Sequence, residues 1–141
     1  MESSLKTRVV FSAVRKATSE SGDYYNHVQP GEVITFTHTE ANIGNGMNPD
    51  TGIFTVPMSG IYSFSFSALT TGEDKSTTIL VGKNSVNQFT ISDPNSHDLL
   101  GYSWTMYLAQ NDLIYLYNDN NGLYVTSDIN VWFNGQLLMA E

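Results

Sequence analysis

The chain has 141 residues, enough for one domain with a real core, and 40% of them are hydrophobic. Fourteen acidic residues against six basic ones give a net charge of -8, which argues against nucleic acid, because phosphate binding needs clustered Lys and Arg. Cysteine is absent, so disulfides and thiolate catalysis are excluded, and no apolar run approaches the ~20 residues of a membrane-spanning helix.

From the start of the chain, Met1 to Leu5 lack the apolar stretch of a signal peptide. Residues up to about 8 read as an N-terminal tail of a single domain spanning 1–141. Four of the six basic residues, Lys6, Arg8, Arg15 and Lys16, fall early and read as a solvated basic segment. Residues 18–23 are a polar loop. Residues 33–39 alternate, with Ile34 and Phe36 on one face of a strand predicted to end by Ala41. Asn42, Gly44, Asn45 and Gly46 open a loop that runs to Gly52. Gly60 then leads into a strand in which Tyr62, Phe64 and Phe66 share one face and Ser63, Ser65 and Ser67 the other.

Residues 77–82 are β-branched and strand-like. Residues 89–91 form a short predicted strand, ended by the loop from Ser92 to Ser96. Trp104, Met106 and Leu108 alternate with Ser103, Thr105 and Tyr107. Residues 113–117 form another strand, and the Asn- and Gly-rich turn 118–122 follows. Residues 123–126 and 129–133 complete the series. No helical pattern of useful length occurs. About ten short strands with regular turn signals predict an all-β sandwich or jelly roll.

Two segments break the expected polar outer face. Leu113, Ile114, Tyr115, Leu116 and Tyr117 carry large apolar or aromatic groups on both sides, and Trp132 stands beside Phe133. Outward Tyr115, Tyr117 and Trp132 predict a buried interface.

Candidate chemistry is sparse. His27, His38 and His97 have no metal-ligand spacing, and no nucleophile elbow accompanies the many serines. His38 reads as a satisfied core or rim residue. Gly44-Asn45-Gly46 lacks the strand-to-helix step of a phosphate loop. The turn 118–122 has the flavour of a calcium loop, but Tyr117 occupies the first ligand place. No enzymatic activity is expected.

Phe36, Asn42, Phe54, Gly60, Tyr62, Phe64 and Phe66 form the array F-x5-N-x11-F-x5-G-x-Y-x-F-x-F. It resembles the signature of the complement C1q globular-head family. Val9 to Arg15 resembles the family's opening strand, and Thr51-Gly52-Ile53-Phe54 its T-G-x-F step. Leu108 to Asp112 resembles its L-x-x-G-D turn with Asn111 in place of glycine, and Phe133 to Leu138 its closing F-x-G-x-L-L. Met47 departs from the family's usual aromatic or Leu.

The resemblance implies a ten-stranded jelly roll of the C1q and tumour-necrosis-factor type, secretion, and assembly as a homotrimer. It also implies calcium bound by acidic residues of the loop 92–98, for which Asp93 and Asp98 are the candidates. The function it implies is a non-enzymatic, pattern-recognition lectin for polysaccharide or microbial glycans. The alternatives are a ligand for a cell-surface receptor, of the adipokine or cerebellin kind, and a trimerisation module without a ligand.

Overall fold

The computed structural model describes residues 8–16, 26–28, 31–70, 77–93, 99–120, 123–125 and 131–141. Among them, no helix is long and apolar enough to cross a membrane. The described residues form thirteen strands. They are β1 (Val10–Arg15), β2 (Asn26–Val28), β3 (Glu32–Val33), β4 (His38–Ile43), β5 (Met47–Asn48), β6 (Ile53–Thr55), β7 (Gly60–Thr70), β8 (Thr77–Lys83), β9 (Val86–Asp93), β10 (Leu99–Leu108), β11 (Leu113–Asn120), β12 (Leu123–Val125) and β13 (Val131–Ala140). The fold is the predicted all-β jelly roll. Its strand count exceeds ten through pieces of two or three residues such as β3, β5 and β12.

Two antiparallel sheets pack face to face. The first runs β2-β12-β7-β13-β1-β4, with β10 on the other edge of β7; the second runs β5-β6-β11-β8-β9, with β3 beside β11. The alternation in β7 works as read. Tyr62, Phe64 and Phe66 are buried, whereas Ser63, Ser65 and Ser67 are half-buried on the outer face.

The core is a nest of rings. Phe11 lies 4.7 Å from Phe54 and 5.0 Å, edge-on, from Phe133. Phe64 meets Phe54 at 6.0 Å and Phe133 at 5.9 Å. Edge-to-face and offset ring pairs of this kind add to the burial they provide. Gly135 makes room for them, because a Cβ there would stand 2.3 Å from Phe11 Cε2 and 2.9 Å from Phe64 Cδ1. Met47 is buried in this core despite departing from the family pattern.

The predicted strand over residues 33–39 is corrected. Ile34 and Phe36 are buried, but the chain there crosses between sheets. The Ile34 amide donates to the Leu116 carbonyl in the second sheet, and the Thr37 amide donates to the Val14 carbonyl in the first. The next strand, β4, runs past Ala41 to Ile43. Asn42 belongs to it and closes the following turn, donating from Nδ2 to the Met47 carbonyl at 2.8 Å and accepting the Met47 amide at 3.2 Å.

Candidate functional site: an uncharged face and a locked pair of turns

The eleven residues of β7 and the ten each of β10 and β13 include no Asp, Glu, Lys or Arg. These strands are neighbours in the first sheet. Their outer face is built in rows by register. One row is Ser12, Asn134, Ser65 and Ser103; the next is Val10, Gln136, Ser63 and Thr105. Ser12 Oγ donates to Asn134 Oδ1 at 2.6 Å, and Asn134 Nδ2 donates to Ser65 Oγ at 3.2 Å. A groove of about 280 Å³ lies over these residues. Toward one end the face becomes apolar: Tyr107, Ile61 and Met139 stand in register and are all exposed.

The side of the sandwich between β9 and β10 is closed by aromatics. Phe89 on β9 meets Trp104 at 5.2 Å and Tyr102 at 5.6 Å. Trp104 continues inward to stack on Phe64 at 5.4 Å. Tyr102 is 48% exposed at the rim of this cluster. The Trp104 indole N–H is buried without a hydrogen-bond acceptor among the described residues.

At one end, two turns are tied together. Asp112 Oδ1 accepts from Asn84 Nδ2 at 2.9 Å, and Oδ2 accepts from the Ala109 amide at 2.9 Å. Asn84 Oδ1 accepts from the Leu113 amide at 2.8 Å. Lys83 Nζ stands 3.8 Å from Asp112. Burial pushes the Asp112 carboxyl up, but the bonds from Asn84 and Ala109 and the Lys83 ammonium outweigh it and hold the group below its ordinary value. Asn111, at φ 74°, takes the left-handed conformation, which Asn tolerates better than most residues other than glycine. The lock leaves Ser85, Gln110 and Asn111 exposed beside it.

The three aromatics predicted at an interface do not share a surface. Tyr115 and Tyr117 lie on β11 of the second sheet, and Trp132 lies on β13 of the first. All three are half-buried. The Tyr115 ring covers Gly82, where a Cβ would come within 2.3 Å of Cε2, and its hydroxyl accepts from the Ser85 amide at 3.1 Å. The more exposed aromatics are Tyr102 and Tyr107.

His38 is at the rim, on edge strand β4, with Nε2 2.7 Å from Glu40 Oε1. That contact, with the charges of His38 and Lys16, holds the Glu40 carboxyl below its ordinary value. Of the calcium candidates, Asp93 ends β9 with its backbone opposite Thr77, and Asp98 lies outside the described residues, as does His97. Among the described residues, no three His, Cys, Asp or Glu side chains gather to hold a metal.

Comparison with known families and structures agrees with this geometry. The model of the C1q domain matches residues 10–138. The globular domain of zebrafish complement 1qA protein superposes with a TM-score of 0.74 at 20% identity, covering 94% of this chain and 99% of that one. Eiger TNF from S. frugiperda gives 0.68 at 8% identity, with 94% and 95% covered. Murine APRIL gives 0.62 at 15% identity, with 91% and 98% covered. At these identities the structures are alike in fold.

Proposed function

Because this chain belongs to the C1q domain family, we propose that it is a non-enzymatic recognition module that works outside the cell as a homotrimer and binds polysaccharide or microbial glycan. Domains of this type are trimeric and are often used in recognition or signalling. A surface of three adjacent strands without a charge supports the assembly, since copies carrying -8 each repel one another except where charge is absent.

The observation that carries the ligand class is the end locked by Asp112 and Asn84. It fixes exposed Ser85, Gln110 and Asn111 on turns whose backbone is already held. Amides and hydroxyls both donate and accept, which matches the hydroxyls of a neutral sugar. Fixed turns also lose little entropy on binding. Contacts of this kind are weak singly, and three copies on one trimer raise the effective affinity about 10²–10⁴-fold on a repetitive surface. Calcium held by Asp93 and Asp98 belongs to the same proposal.

A glycan array tests the ligand class. Immobilised polysaccharide should retain the protein, and free monosaccharide should release it. Failure across a broad panel, with and without calcium, would turn the reading to a receptor-binding ligand, which a cell-surface receptor screen identifies.

A further inference from the structure

The outer face of the second sheet carries an aromatic ring held in one position. On β11, Ile114 and Leu116 are buried, so Tyr115 and Tyr117 face outward. Register sets Tyr115 opposite Gly82 of β8, and Gly82 opposite Asn87 of β9. Residues paired in this way share a face of the sheet. The Tyr115 ring lies across the glycine, where a Cβ would stand 2.3 Å from Cε2 and 2.5 Å from Cζ. Its hydroxyl accepts from the Ser85 amide at 3.1 Å. One side of the ring rests on the sheet and the other is open to solvent, in keeping with a half-buried side chain.

The surroundings are polar and neutral. Ser85 stands at the hydroxyl end of the ring and Asn87 beyond the glycine, and both are exposed. The Tyr115 oxygen accepts from Ser85 through a lone pair and keeps its own hydrogen to donate. The next row on this face, Tyr117, Leu80 and Thr90, has no charge either. The more exposed tyrosines differ in this respect. Tyr107 donates to the Glu141 carboxylate at 2.7 Å, and Tyr102 packs against Phe89 and Trp104.

A fixed ring edged by an amide and hydroxyls fits one chemistry. A hexopyranose has apolar C–H bonds on its faces and hydroxyls that donate and accept around its rim. Its face covers the ring while its hydroxyls meet Asn87, Ser85 and the Tyr115 O–H. An aliphatic side chain in the same place would leave those polar groups unmatched. A sulfated or uronic-acid sugar would approach a chain of net charge -8 and find no cation in either row.

From this we propose that Tyr115 is the stacking platform for one neutral hexopyranose residue of a glycan, with Asn87 and Ser85 hydrogen-bonding the hydroxyls at its rim. The inference rests on the glycan reading above and names its apolar contact. Ser85 is shared with the locked end, so the site runs from that end onto the face of the second sheet.

The test titrates the protein with methyl β-glucoside and methyl β-galactoside, monovalent probes that remove avidity. Tyr115→Ala should weaken binding about 2- to 10-fold through the lost aromatic contact. Asn87→Ala should weaken it by a similar factor through a lost hydrogen bond. Tyr115→Phe keeps the ring and should lose less than Tyr115→Ala. Nuclear magnetic resonance of protein labelled at tyrosine adds a second readout. The Tyr115 signal, identified by its loss in Tyr115→Phe, should shift on adding either glycoside, and the Tyr102 signal should not. Circular dichroism and melting establish that each variant is folded. If Tyr115→Ala melts early, Asn87→Ala and the Tyr115 signal decide.

A Tyr115 signal that stays in place while glycoside binds would overturn the platform and leave the glycan reading standing. Folded Tyr115→Ala and Asn87→Ala chains that bind like the wild type would do the same, as would retention on polysaccharide with no binding of either glycoside. Tighter retention on a sulfated galactan than on a neutral one would overturn the neutral ligand. A wild type that binds neither glycoside nor any polysaccharide would overturn both the platform and the glycan reading.

Discussion

Asn84 and Asp112, twenty-eight positions apart, bind each other side chain to side chain at 2.9 Å, and each also holds backbone of the β10–β11 turn region. A hairpin turn and a strand connection are thereby one unit. Asp112→Asn would put an amide N–H against either Asn84 Nδ2 or the Ala109 amide. The expected loss is about 1–3 kcal/mol, the cost of leaving a donor unmatched.

The same residue gives a pH dependence. Its carboxyl is held below its ordinary value in the folded chain. The stability it adds is therefore complete above the unfolded value, about 3.9, and is lost as pH falls through the lower folded value. Melting temperatures of wild type and Asp112→Asn should differ at neutral pH and converge in acid. A constant difference down to the acid limit would show that the charge is not involved.

Phe64 and Ser65 are neighbours in sequence and opposites in burial. Replacing Phe64 with Ala should cost about 3–5 kcal/mol, through lost burial and the cavity left among Phe54, Phe133 and Trp104. Ser65→Ala should cost far less. Denaturant melts read both, and equal effects would contradict the two-faced strand.

Much of this was legible in advance, because alternation is a local signal. Tyr62, Phe64 and Phe66 announce their face without help from the rest of the chain. Residues 33–39 alternate as well, yet there the alternation serves a crossing between sheets, and only distant partners such as Leu116 and Val14 reveal it. The tyrosines of β11 could not be assigned from identity alone. The Tyr115 ring lies over Gly82 of its own chain, and that placement depends on register between strands. The turn lock was half legible: Asp112 sits in a familiar turn, but Asn84 gives no sign in sequence that it reaches that turn.

Gly135 admits the rings of Phe11 and Phe64, so Gly135→Ala should destabilise the fold by about 1–3 kcal/mol through overpacking. A variant as stable as the wild type in urea would mean that the rings move aside freely.

Calcium is tested by melting. If Asp98 helps to hold the ion, added Ca²⁺ should raise the melting temperature, since a ligand of the native state stabilises it by mass action. Asp98→Asn should shrink that gain. Absence of any shift in the wild type would remove calcium from the proposal.

The place of β13 has a consequence for the order of events during synthesis. It is the last described strand of the domain to be made, yet it lies between β1 and β7 and pairs with both. The bond from Ser12 to Asn134 spans 122 positions. Until β13 emerges, β1 has no neighbour toward the centre of the sheet, and the Phe11, Phe54 and Phe64 rings lack Phe133. A nascent chain that has not yet added residues 131–141 therefore exposes an apolar cleft and two open strand edges. Such a nascent chain should bind chaperones until β13 joins the sheet, and contacts of this sequence separation make that step slow.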